Sequence, residues 1–493
     1  ILLGLALSST LLFSQTVSAQ NDKLELTLND VVQRAFENEP RVEIAKANVS
    51  NAKGSLRQAW GANGLNIAYN YTAARGAANS NLQRVIAENY GSTLQASLPL
   101  YTGGANEGNI DKATGAFRAQ EYSYDAAMQT IKYDATGAYF TVLADRDTVA
   151  FYQESVDNYT EHLKNVKMQF EVGTVAKVDV LSSEVALANA QQNLTKAQKA
   201  YEVDVANLLN MIGLPVDTKV SFSEHLKYDT YDKQLAECMA YALQNQPAIY
   251  AANEKVKAAL AGMQVARAGY QPTIALVASN SWQGEKFPGN EIKDNWTLAA
   301  KASITVLDSG VTAGKVQAAR ATYDTAIAEQ RQTIQTVNYN VNNAYLGLRE
   351  SEQRINTAGI AVSQAEESYR IAQLRYQAGV GTNLDALDAA LKLTDAKNNY
   401  VSALYSYNVS KAALDRVMGI STGMELAHKY DRKKPLPNPQ ELNSKAYPNA
   451  AKLQPAYEKT PVKVDDLVEK AQSVADGDTS VSHNQTIQDF LKK

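Results

Sequence analysis

The chain has 493 residues, with 48 basic and 52 acidic side chains and a formal net charge of −4. This balance gives no reason to expect a nucleic-acid partner. The hydrophobic (45%) and charged (20%) fractions are those of a folded protein rather than a disordered one. The single cysteine, Cys238, excludes a disulfide framework and a cysteine-based metal site. We expect Cys238 to be a small buried apolar residue.

The first residues have the pattern of a secretory signal peptide, which is predicted to cover 1–19. Leu2 to Phe13 form an apolar run, and Val17-Ser18-Ala19 has the small-x-small form of a signal-peptidase site. The run is too short to span a bilayer, and no later run of ~18 apolar residues follows it, so a transmembrane helix is not expected. A chain of this kind that crosses a membrane must do so as a β-barrel.

A duplication organises the rest of the sequence. Glu37-Asn38-Glu39-Pro40 recurs as Gln244-Asn245-Gln246-Pro247, and Phe170-Glu171-Val172-Gly173 recurs as Tyr376-Gln377-Ala378-Gly379. The copies stay 206 or 207 positions apart over most of their length, which is hard to obtain by chance. We therefore predict a first structural repeat over 24–215, a second over 231–420, and an irregular C-terminal tail over 421–493.

Each repeat is predicted to contain the same elements in the same order. In the first, Thr27 and Asp30 form a capping-box pattern at the start of a helix that runs to about Trp60. Two strands and a very long helix follow, and Gly173 and Gly379 separate each long helix from a return helix. The predicted bounds are strands 65–73 and 92–101, long helix 105–171 and return helix 177–212 in the first repeat, and strands 272–281 and 295–307, long helix 311–377 and return helix 383–418 in the second.

The predicted strands alternate between apolar and polar side chains. Ile67, Tyr69 and Tyr71 share one face of the first strand, and Trp296 and Leu298 share one face of the fourth. Strands of ~10 residues with one apolar and one polar face suit a membrane, although a soluble half-buried sheet has the same pattern. Four strands cannot close a barrel, for which about eight is the practical minimum, so we expect several subunits to share one.

The helices are predicted to build an elongated body. At ~1.5 Å per residue each long helix reaches on the order of 100 Å, so two short helices stacked end to end would lie beside it. Heptad spacing of Val180, Leu187 and Leu194 indicates lateral coiled-coil contact. An ordinary soluble helical bundle explains the helices alone, but not the strand pairs. The predicted fold is therefore mainly α with a small transmembrane β part.

Motifs for enzymatic chemistry are absent from the sequence. The four histidines, His162, His225, His428 and His483, lie far apart without metal-ligand spacing, so we expect them at the surface. There is no nucleophile elbow, Walker loop or dinucleotide fingerprint. Gly103-Gly104 is interpreted as a turn between a strand and a helix. We expect neither enzymatic activity nor a cofactor or metal.

Together these features resemble the outer-membrane efflux channel family of which TolC is the type member. The resemblance covers about 24–420 and rests on the duplication, on the Asn-x-Pro motif that opens each repeat, and on two further segments. It implies a homotrimer in which four strands per chain enter a shared 12-stranded trimeric β-barrel in outer-membrane lipid, continued by a long α-helical periplasmic barrel. It also implies a periplasmic adaptor protein and an inner-membrane RND or ABC pump as partners. The two further segments are Leu98-Pro99-Leu100-Tyr101-Thr102-Gly103-Gly104, and Tyr376-Gln377-Ala378-Gly379 followed by Leu384-Asp385-Ala386-Leu387-Asp388.

The resemblance implies, in addition, a periplasmic entrance that is gated by an iris of helices. The two gate aspartates of the family match Asp385 and Asp388, and its gate tyrosine matches Tyr376. Because these aspartates are one helical turn apart, threefold symmetry would gather six carboxylates around a pore and attract cations. Both acids also suit the first turn of a helix, with Thr382 as the capping partner of Asp385, and Tyr376 suits plain helix packing. These alternatives stay open.

The adaptor-binding tips are expected at the two breaks between long and return helices, where helix breaking alone explains the glycines equally well. The expected tip residues are Val172, Gly173, Thr174, Ala378, Gly379 and Val380.

One feature departs from the family. The tip arginine and the facing aspartate that hold the gate of the type member shut match Gly381 and Lys164 here. This latch is missing, so closure must use other contacts or be looser.

The predicted function is passive export of drugs, small molecules or proteins from the periplasm or cytoplasm to the exterior. The chain would act within a tripartite efflux or type I secretion system, in the outer membrane and extending into the periplasm. A periplasmic coiled-coil adaptor is the alternative, but an adaptor has no need of paired strands that suit lipid. A general porin would need many more strands per chain.

Overall fold

The computed structural model describes residues 23–80, 83–284 and 293–427. The predicted signal peptide and nearly all of the predicted tail lie outside the described residues, as do His428 and His483. The first repeat contains β1 (Leu24–Glu25), α1 (Leu28–Asn38), α2 (Pro40–Gly61), β2 (Asn66–Ser80), β3 (Gln83–Tyr101), α3 (Ala105–Glu171) and α4 (Lys177–Met211).

The second repeat has nearly the same elements with nearly the same lengths. The two long helices have 67 residues each, and the return helices have 35 and 36. A short strand precedes the repeat and pairs in parallel with β1. The short strand is β4 (Val220–Ser221). The elements of the second repeat are α5 (Leu235–Asn245), α6 (Pro247–Arg267), a 3-10 turn (Ala268–Tyr270), β5 (Thr273–Gly284), β6 (Lys293–Ser303), α7 (Val311–Gln377) and α8 (Asn383–Met418).

The helix that opens each repeat is broken at a proline, so the prediction of one continuous helix to about Trp60 was wrong. Glu39 between α1 and α2 is extended, with φ −68° and ψ 120°. Proline disfavours helical backbone at the residue before it and suits the first turn of a helix, which is where Pro40 lies. Pro247 divides α5 from α6 in the same way. The predicted capping box of Thr27 and Asp30 is confirmed.

The four longer strands form one antiparallel sheet in the order β2-β3-β5-β6. The pairing of the strands places mostly apolar side chains on one face of the sheet. Ile67, Ala96, Ala278 and Leu298 lie in one row, and the next row on that face contains Tyr69, Leu94 and Trp296 together with one polar residue, Asn280. The opposite face carries polar rows, one of which is Asn70, Thr93, Ser281 and Asn295. The predicted alternation is therefore a property of the whole sheet.

The ends of the strands differ from the predicted bounds because pairing decides where a strand stops. β2 and β3 pair as far as Ser80 and Gln83, well beyond the predicted ends at residues 73 and 92. Their backbone hydrogen bonds need no apolar side chains, so the alternation fades before the hairpin does. β6 ends at Ser303, not at residue 307, because its partner β5 begins at Thr273, which lies opposite Ser303.

The short helices stack along the long ones. At the start of α3 the Asn106 amide donates to the Ala62 carbonyl after α2 (3.3 Å), and near its end Lys167 pairs with Glu184 of α4 (2.8 Å). The end of α4 meets the end of α1, where the Asn38 amide donates to the Ile212 carbonyl (3.2 Å). In the first repeat, α2 and α4 therefore lie in line beside α3, as predicted.

The two main hydrophobic clusters lie where short helices meet the middle of a long one. Met128, Tyr139 and Leu208 belong to the first cluster, and Ile334 and Tyr407 to the second. Cys238 is 1% exposed within the second cluster, which confirms the prediction of a buried apolar residue. In the described part of the chain no helix combines the length and the apolar character that a membrane span requires.

Candidate functional site

The candidate site is the pair of helical hairpins at the end of the molecule far from the sheet. α3 turns into α4 over 172–176, and α7 turns into α8 over 378–382. Gly173 (φ +80°) and Gly379 (φ +72°) adopt the left-handed conformation that ends a helix, and no neighbouring atom would contact a Cβ at either. The residue after each glycine bonds back to its helix, Thr174 N to Gln169 O (2.9 Å) and Val380 N to Arg375 O (3.0 Å).

The six expected tip residues all lie on these turns and are exposed. Val172 is 74% exposed and Val380 is 69% exposed, which is unusual for valine. A third apolar side chain, Leu384, is 73% exposed at the start of α8. The tips thus present apolar side chains to solvent, which is a feature of surfaces that bind a partner.

Tyr376 joins the two hairpins. Its side chain is 7% exposed and packs with Val166 and Ala386, and its hydroxyl donates to the Gln169 side-chain oxygen of α3 (2.6 Å). The ring lies 5.1 Å from the His162 ring. Burial raises the pKa of the Tyr376 hydroxyl, and the charge of Asp179 raises it further. The hydroxyl therefore remains a hydrogen-bond donor between α7 and α3.

Asn383, the first residue of α8, is a second junction, one that the sequence did not indicate. It is buried, its amide donates to the Asp179 carbonyl of α4 (3.1 Å), and its oxygen lies 2.7 Å from His162 Nε2 of α3. Because the amide nitrogen faces a carbonyl, the oxygen must accept from His162, so Nε2 carries a hydrogen. A polar residue at a helix start is common, and only the packing of three helices makes this one a junction.

The expectation that the histidines lie at the surface was wrong for His162. It is buried because α8 packs across α3 and supplies Asn383 as a polar partner, so burial leaves Nε2 satisfied. His225 is exposed, and its Nδ1 lies 2.9 Å from the Arg146 guanidinium.

Asp385 caps its own helix. Thr382 Oγ1 accepts from the Asp385 backbone N–H, and the Asp385 carboxylate accepts from the Thr382 N–H, both at 3.1 Å. These bonds to Thr382 lower the pKa of Asp385, and the charge of Arg375 adds a smaller lowering. Asp179 makes the corresponding bond to the Ala176 N–H at the start of α4 (3.2 Å). The capping alternative for Asp385 is therefore present in the structure.

Asp388 lies one turn further along α8 and is also exposed. Its carboxylate forms an ion pair with Lys392 of the same helix (2.7 Å). The two aspartates share a helix face, as predicted from their spacing, but Lys392 offsets the charge of Asp388. The face formed by these three residues carries one net negative charge per chain.

The positions that match the family latch contain no ion pair among the described residues. Lys164 is exposed, and Gly381 packs so closely that an added Cβ would lie 3.1 Å from the Arg375 Cβ. Arg375, at the end of α7, is the cation beside this turn, and it is close enough to Asp385 to lower its pKa. Within the described residues no three His, Cys, Asp or Glu side chains converge as a metal site requires.

Comparison with known proteins assigns the chain to a family. The family model described as outer membrane efflux protein matches residues 31–214 and 239–420, one segment in each repeat. The chain belongs to this outer membrane efflux protein family. It is an outer membrane transport protein, not an enzyme, and the adaptor alternative is thereby rejected.

Individual relatives agree with this assignment. The toluene efflux pump outer membrane protein TtgC of Pseudomonas putida is 24% identical over 341 residues, which cover 68% of this chain and 70% of the relative. TolC of Salmonella enteritidis is 23% identical over 440 residues, which cover 86% of this chain and 87% of the relative. The crystal structure of the Campylobacter jejuni CmeC outer membrane channel superposes with a TM-score of 0.71 at 17% identity, covering 82% of this chain and 88% of that one. The predicted fold class is confirmed.

Proposed function

We propose that three copies of this outer membrane efflux protein join their sheets edge to edge into one closed wall. Their helices then form a duct that carries cargo through the periplasm to the exterior. The observation that carries the proposal is the open sheet: β2 and β6 are its outermost strands, each with one edge unpaired among the described residues. A sheet with open edges and an exposed apolar face is stable in lipid only when the edges are paired.

Strand number favours three copies over two. Eight strands leave an interior that side chains fill, so two copies would give a closed plug. Three copies leave an aqueous lumen. The face with Ile67 and Tyr69 would contact lipid, where Trp296 is 77% exposed in the single chain. The face with Asn70 and Thr93 would then line the lumen.

A periplasmic adaptor protein and an inner-membrane RND or ABC pump complete the proposed machine. The adaptor would bind the hairpin tips, where Val172 and Val380 are exposed without apolar partners that bury them. The pump named for the relative TtgC exports toluene, which favours small organic molecules as cargo of a tripartite efflux system. Export of proteins by type I secretion is the second candidate.

The entrance of the duct is proposed to close where α7 and α8 meet, with Asp385 and Asp388 facing the pore. Three chains would then contribute three uncompensated negative charges, because Lys392 offsets each Asp388. The bond from Tyr376 to Gln169 would keep the two hairpins of one chain together in the closed state. Arg375 is the tip cation available for closure in place of the missing latch.

Planar-bilayer recordings of the purified protein test the gate. Asp385→Ala should weaken cation selectivity and block by divalent cations, because it removes an unpaired carboxylate from the pore. Asp388→Ala should weaken both properties as well, because it leaves Lys392 without its partner and, like Asp385→Ala, changes the net charge of this face from −1 to 0.

The matched control is Asp179→Ala, which removes the corresponding helix cap at the other hairpin. If this variant changes selectivity as much as Asp385→Ala does, helix capping explains both results and the gate proposal is wrong. If the wild-type protein gives no conductance at all, the channel proposal itself is contradicted.

A further inference from the structure

A cavity of about 240 Å³ lies between α1, α3, α8 and the segment that follows α8. It is far from the hairpin tips, beside the middle of the long helix. Part of its wall is apolar, formed by Leu28, Phe140, Ala412 and Ile420. The rest is polar, and the gate and sheet described above make no use of it.

Positive charge dominates the polar wall. Lys132, Lys411 and Arg416 line the cavity, with Asp415 as the acidic lining residue. None of the three cations forms an ion pair among the described residues. Burial raises the pKa of Asp415, and the charges of Lys132 and Lys411 lower it by a smaller amount. With three cations and one carboxylate, the lining residues carry a formal net charge of +2.

One hydrogen-bond donor on this wall also lacks a partner in the described part of the chain. The Arg416 Nε is buried with no hydrogen-bond partner, and its guanidinium lies over the Tyr133 ring at 4.6 Å. Gln129, whose side-chain amide can donate, lines the same wall and is 6% exposed. A buried donor without a partner is costly, and a bound group that accepts hydrogen bonds removes the cost.

The other repeat does not contain this arrangement. The residues 206 positions away from Lys132, Lys411 and Arg416 are Asn338, Val205 and Asn210. Packing of a long helix against a return helix therefore does not require cations at these positions. The three charges belong to one junction only, which argues for a role that the fold itself does not explain.

We propose that this cavity binds a small organic anion whose carboxylate or phosphate group faces Arg416, Lys411 and Lys132 and whose compact apolar body lies against Phe140 and Leu28. The guanidinium offers two parallel N–H groups to such a headgroup, and Gln129 supplies a neutral donor. The apolar wall accommodates the remainder of the ligand.

Titration of the full-length, detergent-purified protein with hexanoate, and separately with inorganic phosphate, tests this site. Hexanoate should bind saturably in calorimetry and raise the unfolding temperature, whereas hexanol, which has no charge, should not. Phosphate should bind if the headgroup alone suffices. Arg416→Gln should weaken binding by about tenfold or more, the size expected for one charge-assisted hydrogen bond.

Two controls separate a built site from general attraction of anions. Lys112→Gln removes an exposed cation of α3, the helix of Lys132, outside the cavity and should leave binding unchanged; an equal loss in both variants would overturn the proposal. Without added anion, Arg416→Gln should change the unfolding temperature little, because it removes a half-buried cation that has no ion-pair partner among the described residues and loses only its contact with the Tyr133 ring. A clear drop without any hexanoate binding would show that Arg416 serves another part of the chain and would also overturn it.

Discussion

Two side chains, Tyr376 and Asn383, join four helices (α3, α4, α7 and α8) at the tips, and their replacement should loosen this end of the molecule. Asn383→Ala leaves the buried His162 Nε2 donor without an acceptor and should cost about 1–3 kcal/mol of unfolding free energy. Tyr376→Phe loses one bond to Gln169 and should cost about 0.5–1.5 kcal/mol.

Denaturant unfolding in detergent measures both changes. Asn51→Ala, at an exposed position of α2, is the control and should stay within about 0.5 kcal/mol of the wild type. If Asn383→Ala behaves like this control, the buried network does not contribute to stability.

A half-buried pair of carboxyl groups, Asp145 and Asp204, predicts how stability depends on pH. Burial raises the pKa of Asp145 on α3 to about 7, and the neighbouring carboxyl of Asp204 on α4 adds to the effect. Between the ordinary pKa of an aspartate, about 4, and pH 7, the folded chain therefore keeps a proton that the unfolded chain has lost. The unfolding free energy that Asp145 contributes is therefore fully present near pH ~4 and is lost as the pH rises from there to about 7.

Asp145→Asn should remove this loss, so the variant should gain unfolding temperature relative to the wild type as pH rises from 5 to 8. Thermal unfolding across that range is the measurement. Asp111→Asn, which changes an exposed aspartate of α3, should follow the wild-type pH profile. A constant difference between Asp145→Asn and wild type at every pH would exclude the titration of Asp145 as the cause.

The residue-level predictions from sequence succeeded where chemistry is local. The cap formed by Thr382 and Asp385 needs only residues three apart, so its pattern is visible in the sequence. The burial of His162 depends on α8, whose contact residue Asn383 is 221 positions away. Likewise the ion pair of Asp388 with Lys392 depends on side-chain rotamers that the spacing permits but does not require.

The two hairpin turns depend on backbone conformation rather than on packing. Gly173→Ala and Gly379→Ala should each cost about 1–2 kcal/mol, because alanine is strained at positive φ although there is space for its Cβ. Gly54→Ala, in the middle of α2 with equally free space, should instead stabilise by up to ~1 kcal/mol. Unfolding free energies of the three variants test the contrast, and equal effects at all three sites would contradict it.

Helices and strands were predicted well where the sequence itself marks both ends. They were predicted poorly where a neighbouring strand determines the last residue of a strand. The long helices α3 and α7 match their predicted bounds, because a break at glycine marks one end and the turn after a strand marks the other. The interruption at Pro40 was missed, since helical periodicity continues across it on both sides. Strand ends were missed in β2, β3 and β6, because they follow the register of a neighbouring strand.

The duplication in the sequence predicts the architecture of one chain, but it does not give the number of copies in the assembly or how they pair. Within the described residues, a sheet of four strands with two open edges supports the proposed association of copies, and the width of a conducting lumen favours three. The register between β6 of one copy and β2 of the next depends on side chains at both edges, so neither the spacing nor the single chain determines it.

Native mass spectrometry of the detergent-purified, full-length protein tests the association of copies most directly. The account predicts that detergent removal in the gas phase releases a complex of three identical chains. A protein that stays monomeric under these conditions, with its β2 and β6 edges unpaired, would contradict it.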